Sequence, residues 1–263
     1  MLIAHSIVVS MENERDSSPG DKVVFTDEEW IAGRTQVTRD MTNHLARYRT
    51  PVFKDHGDHG EGWGSGSFIE INGSKYILTN EHVATTRHSG ARLGFQLADQ
   101  DKLVLVQGDH VEHAWPLDLA LLPVSEAGWT SLKHGSRAIQ ADQIAAAHTA
   151  APTEIFAFSG FAGKGSFHFD TLLFRATTSV SREVELPADT RWDSRLHFGL
   201  DYRPDLATTV VGNDGLPNPR GFSGSAVWNT RYVEAKIKGL DWTPDLAQVT
   251  GVIWGWPSNM VSS

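Results

Sequence analysis

Ser223 stands in Gly221-Phe222-Ser223-Gly224-Ser225-Ala226, a serine between glycines that leads into a strand-like run. Small neighbours let the backbone approach a substrate carbonyl closely and let successive N–H groups aim at one point, as a serine nucleophile requires. An ordinary glycine-serine turn has the same composition, so the segment gains meaning only with partners. His82 offers one, closing the run Ile77-Leu78-Thr79-Asn80-Glu81-His82-Val83, where a strand end can project an imidazole into a cleft. Asp118 offers the other, in Pro116-Leu117-Asp118-Leu119-Ala120-Leu121-Leu122. A carboxylate beside so apolar a strand is costly to bury unless it is paired. A histidine Nδ1–H would pair it and fix the tautomer that a general base needs.

Other chemistries fit less well. The chain has no cysteine, which removes disulfides, thiolate nucleophiles and Cys-ligated zinc together. A formal charge of −9 repels phosphate backbones, and no basic patch offsets it, so nucleic acid is not an expected partner. An α/β-hydrolase needs Gly-x-Ser-x-Gly with histidine after the serine, but position 225 is Ser and no histidine follows His197. Gly163-Lys164-Gly165-Ser166 resembles a phosphate loop, yet glycine occupies the place after the lysine where Ser or Thr belongs. Asp55, His56, Asp58 and His59 could ligate a metal, but a hydrophilic glycine-rich loop explains them more simply. No metal and no cofactor is expected.

The elements that must position the triad are short. From Pro51 onward, runs rich in Val, Ile, Phe, Leu and Thr alternate with Gly, Asn, Asp and Pro turns, which predicts an all-β barrel or sandwich. The runs are 67–71, 75–79, 103–107, 119–124, 155–159, 171–177, 196–200, 225–228 and 248–254, with an Asn72-Gly73 hairpin turn between the first two. A less regular stretch, 125–152, divides them into a first unit (50–124) and a second (153–263) and carries a short predicted helix near 140–147. Before them, Thr26-Asp27-Glu28-Glu29 matches a capping box, and Trp30, Val37, Met41, Leu45 and Tyr48 recur on one face, predicting a helix over 27–48. That face either packs on its own domain or serves a partner or a second copy.

Ser17, Ser18, Pro19 and Gly20 read as a flexible joint. Leu2 to Val9 is apolar but broken by His5 and Ser6, lacks a preceding Lys or Arg and runs into the charged segment from Glu12 to Asp16, so it is a poor signal peptide. Residues 1–10 read as a dispensable part of an N-terminal extension (1–49). No run approaches the roughly 18 apolar residues of a membrane span, so no membrane is expected and the expected location is cytoplasmic.

Together these segments resemble the chymotrypsin-trypsin family of serine proteases, and most of all its cysteine-free bacterial branch, the HtrA-type protease domain. Gly64-Ser65-Gly66-Ser67-Phe68, Thr79-Asn80-Glu81-His82-Val83, Asp118-Leu119-Ala120-Leu121-Leu122 and Gly221-Phe222-Ser223-Gly224-Ser225 match its motifs in order, over about residues 50–257. Too few residues follow for a PDZ domain. The resemblance implies two antiparallel Greek-key β-barrels preceded by an α-helix, with the active site between the barrels. It implies endopeptidase activity on a protein or peptide substrate, with Ser223 as nucleophile, His82 as base, Asp118 orienting it, and the N–H groups of Gly221 and Ser223 as oxyanion hole. Ile253-Trp254-Gly255 resembles the strand that pairs with substrate, and Trp254 and Trp256 could shape the pocket. A protease fold kept only for binding or scaffolding is the alternative.

Two departures matter. Phe222 occupies the place where secreted trypsins keep an aspartate for the newly cleaved N-terminus, so activation by clipping is not expected and the oxyanion loop must be ordered by packing or by a partner. Leu216-Pro217-Asn218-Pro219-Arg220 carries no acid, which disfavours strict selection of Arg or Lys in the substrate.

Overall fold

The computed structural model describes residues 1–6, 25–131, 133–162, 166–168, 176–188, 192–212 and 215–255. The predicted joint at Ser17–Gly20, residues 163–165, most of the predicted run 171–177 and Trp256 lie outside them. Strand β1 (Leu2–Ser6) and helix α1 (Asp27–Leu45) precede the first sheet. That sheet is built from β2 (Arg49–Asp55), β3 (His59–Ile71) and β4 (Ser74–Thr79), an antiparallel meander. Asn72 and Gly73, at φ 51° and 79°, make the tight turn into β4 that the Asn-Gly pair predicts.

Helix α2 (Glu81–Ala84) follows β4 directly, then a 3-10 turn (Thr85–Ser89), and β5 (Arg92–Gln96) returns beside β2. The order β5-β2-β3-β4 is a Greek key. β6 (Leu103–Leu105) pairs with β5, while β7 (Val111–His113) pairs with β8 (Leu119–Val124), which pairs with β4. One short stretch of chain, β6 to β7, therefore meets both edges of the sheet and closes it. Val52, Phe68, Ile77, Phe95 and Leu122 fill the interior.

After α3 (Glu126–Thr130) the connecting segment is less free than its composition predicts. Ile139 exchanges hydrogen bonds with the 68–70 backbone, at 2.8 and 2.9 Å. The helix predicted near 140–147 is only a 3-10 turn, Ala141–Gln143, because Ile144 leaves in extended conformation and bridges Val249. A tertiary pairing overrides the local propensity.

The second sheet contains β9 (Phe156–Gly160), β11 (Thr177–Ser181), β12 (Glu183–Val184), β13 (His197–Leu200), β14 (Ala226–Asn229) and β15 (Gln248–Gly255); β10 (Ser166–His168) pairs instead with β3. Helix α4 (Tyr232–Ile237) links β14 to β15. Its order is β11-β9-β14-β15-β1-β13-β12. β11 and β12 are separated by Arg182 alone, so this sheet also closes on itself. The result is the all-β, two-unit architecture that the motifs imply.

One expectation is overturned. Residues 2–6 are no dispensable extension: β1 lies between β13 and β15, antiparallel to both. Leu2, Ile3 and Ala4 have no exposed surface, and Leu2 and Ala4 share a core with Phe156, Phe158 and Phe222. Leu2→Ala is therefore expected to lower stability by about 2–5 kcal/mol. A urea midpoint equal to that of the unaltered protein would show that β1 lies outside the cooperative unit.

The capping box of α1 is present: the Glu29 N–H donates to Thr26 Oγ1 at 3.2 Å, and the Thr26 N–H to Glu29 Oε2 at 2.8 Å. The helix ends at Leu45, a turn earlier than its periodicity predicts. Val37, Met41 and Leu45 are buried in a cluster with Trp228, Tyr232 and Trp242, so its apolar face packs on the second barrel. No helix among the described residues is long and apolar enough to cross a membrane.

Candidate active site

His82 sits in the first turn of α2, where the backbone leaves β4 and turns sharply across the barrel end. Asp118 ends the bend before β8 with φ of 41°, in the left-handed region that Asp tolerates better than bulkier residues. The two meet at two points. The His82 N–H donates to Asp118 Oδ1 at 2.9 Å, and its ring Nδ1 lies 2.6 Å from Oδ2. Asn80 Nδ2 donates to the Asp118 carbonyl at 2.9 Å. The Asp118 side chain is 4% exposed and the His82 side chain 45%. With Nδ1 set against the buried carboxylate, Nε2 is the ring nitrogen left without a protein partner among the described residues.

That cleft encloses about 420 Å³ and is lined by Glu81, His82, Trp115, Asp118, Ser223, Trp254 and Gly255. The triad expected from sequence thus shares one cavity. Ser223 Oγ donates to the Trp254 carbonyl at 3.1 Å, and among the described residues no hydrogen bond joins it to His82. The register between β1 and β15 slips where Trp254 stands, between Ile3 paired with Gly255 and Ala4 paired with Ile253. Such a bulge leaves a residue outside the ladder, so its carbonyl can face the serine.

The serine loop is tied to the first barrel by Ser65, which is fully buried. The Ser65 N–H donates to the Ser223 carbonyl at 2.8 Å, and Ser65 Oγ donates to the Gly221 carbonyl at 2.7 Å and accepts from the Phe161 N–H at 2.8 Å. The Phe222 N–H is taken by Pro219 and the Gly224 N–H by Ile253. Among the described residues, the N–H groups of Gly221 and Ser223 donate to none. These are the two groups expected to form the oxyanion hole. Gly221 and Gly224 have φ of 101° and 91°, and a Cβ on Gly224 would collide with the Ser65 carbonyl oxygen. Ser65→Ala removes the donor to the Gly221 carbonyl and an acceptor of the Phe161 N–H, both part-buried contacts, and is expected to lower stability by about 1–3 kcal/mol. An unchanged urea midpoint would remove this hydroxyl from the account.

Phe222 explains how the loop is ordered. It is fully buried, edge-on to Phe158 at 5.3 Å and to Tyr202 at 6.0 Å. The Tyr202 hydroxyl, its pKa pushed up by burial, donates to the Pro217 carbonyl at 2.6 Å. Packing, the Tyr202 hydroxyl and the Ser65 hydroxyl hold the 217–222 segment, with no ion pair at position 222.

Of the three residues expected to meet substrate, Trp254 and Gly255 line the cleft and Ile253 does not. Ile253 is fully buried, with its N–H bonded to Ser225 and its carbonyl to Gly224. Glu81 and Trp115 are additions to the expected set. Partial burial, then the charges of Asp118 and Glu112, push the Glu81 carboxyl above its ordinary range. Trp115 packs on His197 at 5.1 Å and on Trp254 at 5.4 Å, and Trp192 on Trp254 at 5.4 Å, forming an aromatic wall. Adjacency to His82 and Asp118 was the available signal for Glu81 and Trp115; Tyr202 and Trp192 had none.

The 55–59 segment is a hairpin turn whose ionisable side chains are paired. Asp55 pairs with Arg92 at 2.6 Å and accepts from the Gly57 N–H, Asp58 pairs with His59 at 2.7 Å, and His56 faces Glu61 at 3.6 Å.

No protein-family model and no curated protein matches the chain. Solved structures similar to it include the apo MamO protease domain from Magnetospirillum magneticum, at 12% identity and TM-score 0.44, covering 71% of this chain and 80% of that one. Another comes from work on coupled folding and binding of the intrinsically disordered Sesbania mosaic virus VPg protein, at 17% identity and TM-score 0.39, covering 70% and 75%.

Proposed function

We propose that this chain is a serine endopeptidase of the trypsin-like kind, akin to the cysteine-free bacterial enzymes, acting on protein or peptide substrates. The observation that carries the reading is the two-point His82–Asp118 contact in one cleft with Ser223. Ser223 Oγ turns from the Trp254 carbonyl, attacks the scissile carbonyl carbon and gives its proton to His82 Nε2. The developing oxyanion accepts from the Gly221 and Ser223 N–H groups, where fixed donors act without reorganising. His82 then protonates the leaving amine, and an acyl ester on Ser223 remains. Water, deprotonated by the same imidazole, hydrolyses that ester and restores Ser223. Asp118 stays ionised throughout and stabilises the imidazolium. Buried Phe222 supports activity without a cleaved N-terminus, since packing holds the oxyanion loop.

One observation favours the silent-binding alternative: the Ser223 hydroxyl bonds to Trp254 and not to His82. Catalytic hydrogen bonds often tighten only with substrate, which is why the active reading is preferred. A fluorophosphonate probe separates the two. Intact, unclipped protein is expected to gain one probe mass at Ser223, and Ser223→Ala none. An unlabelled intact chain would establish the silent reading.

A further inference from the structure

His88, His110 and Glu112 converge about one barrel edge, outside the triad. Their ligand atoms all lie within 4.8 Å of one another. His88 stands in the 3-10 turn after α2, His110 just before β7, and Glu112 within β7. Glu112 Oε1 is 3.4 Å from His88 Nε2, and Oε2 is 2.7 Å from His110 Nε2. The two imidazole centroids are 5.5 Å apart.

We propose that these three residues bind a zinc ion, with water in the fourth position. Two imidazoles and a carboxylate form a borderline donor set suited to zinc. Ligands about 2.1 Å from a tetrahedral ion stand roughly 3.4 Å apart. The His88–Glu112 pair already has that separation, and the His110–Glu112 hydrogen bond must lengthen as the metal replaces its proton. Without metal the cluster is held by that hydrogen bond and by Arg87 Nη1, 3.4 Å from His110 Nδ1 and bonded to the Gly108 carbonyl. Arg87 opposes a cation and weakens the site. The ion would clamp the turn after the His82 helix to β7, which pairs with the strand that follows Asp118. This binding does not depend on peptide-bond hydrolysis.

The test is calorimetric titration of the chelator-treated full chain with zinc sulfate, together with thermal unfolding. One equivalent should bind and raise the unfolding temperature. His88→Ala and Glu112→Gln should each weaken binding at least tenfold, and His88→Ala should leave the zinc-free unfolding temperature unchanged, since the His88 side chain is 60% exposed and its loss spares the core. His56→Ala, in the other histidine-bearing loop, should bind as the unaltered protein does. The assignment falls if no equivalent binds, if binding survives His88→Ala or Glu112→Gln, or if His56→Ala abolishes it.

Discussion

Ser223→Ala and His82→Ala are each expected to lower peptide turnover on the order of 10⁴-fold or more in a chain that still folds, although His82→Ala also unpairs the buried Asp118 carboxylate and lowers the unfolding midpoint. The nucleophile and its base act as one unit: without the imidazole the hydroxyl keeps its proton, and without the hydroxyl nothing attacks. The double variant should thus lose little beyond either single one. Both side chains face the cleft, Ser223 half-buried and His82 exposed, so neither change opens a cavity in a barrel. Residual catalysis would come from the Gly221 and Ser223 N–H groups, which alanine at 223 preserves. Steady-state turnover of a peptide pool, measured beside thermal unfolding, is the check. Comparable rates in either variant would remove the triad assignment.

Asp118→Asn is expected to cost about 10⁴-fold near neutral pH. Both carboxylate oxygens of Asp118 accept, one from the His82 main chain and one from its ring. An amide offers one acceptor and one donor. If its oxygen stays on the His82 N–H, its NH₂ faces Nδ1, which must then hold a lone pair, and the ring proton moves to Nε2. A protonated Nε2 cannot take the Ser223 proton. The opposite orientation sets NH₂ against the backbone N–H, two donors at about 2.9 Å. Turnover distinguishes this from a merely structural role, because Asn fills the same volume. Full rate in Asp118→Asn would mean that another acid orients His82.

Much of the site was legible because its chemistry is local. Ser223 is flanked by glycines whose positive φ values the loop requires, and Asp118 adjoins a strand apolar enough to bury it. The capping box at Thr26 and the Asn72-Gly73 turn are likewise short-range arrangements that a few neighbouring residues define. Ser65 was visible only as part of a Gly-Ser-Gly motif. Its role as the clasp between the barrels depends on partners at 161 and 221–223 that no spacing rule connects to it.

The sequence by itself determined the kind of chain, a cysteine-free all-β protein, and singled out Ser223, His82 and Asp118 as the residues proposed for nucleophile, base and orienting acid. Those features reside in residue type, strand periodicity and turn chemistry, which act over a few positions. Tertiary structure alone decided that β1 completes the second barrel, because an isolated five-residue strand has no stability until β13 and β15 supply its hydrogen bonds. It also decided that buried Phe222 anchors the 217–222 loop, that Ile253 is buried outside the cleft that Trp115 and Glu81 line, and that His88 meets His110 and Glu112. Each of these is a meeting of segments distant along the chain, set by how the closed sheets bring them together.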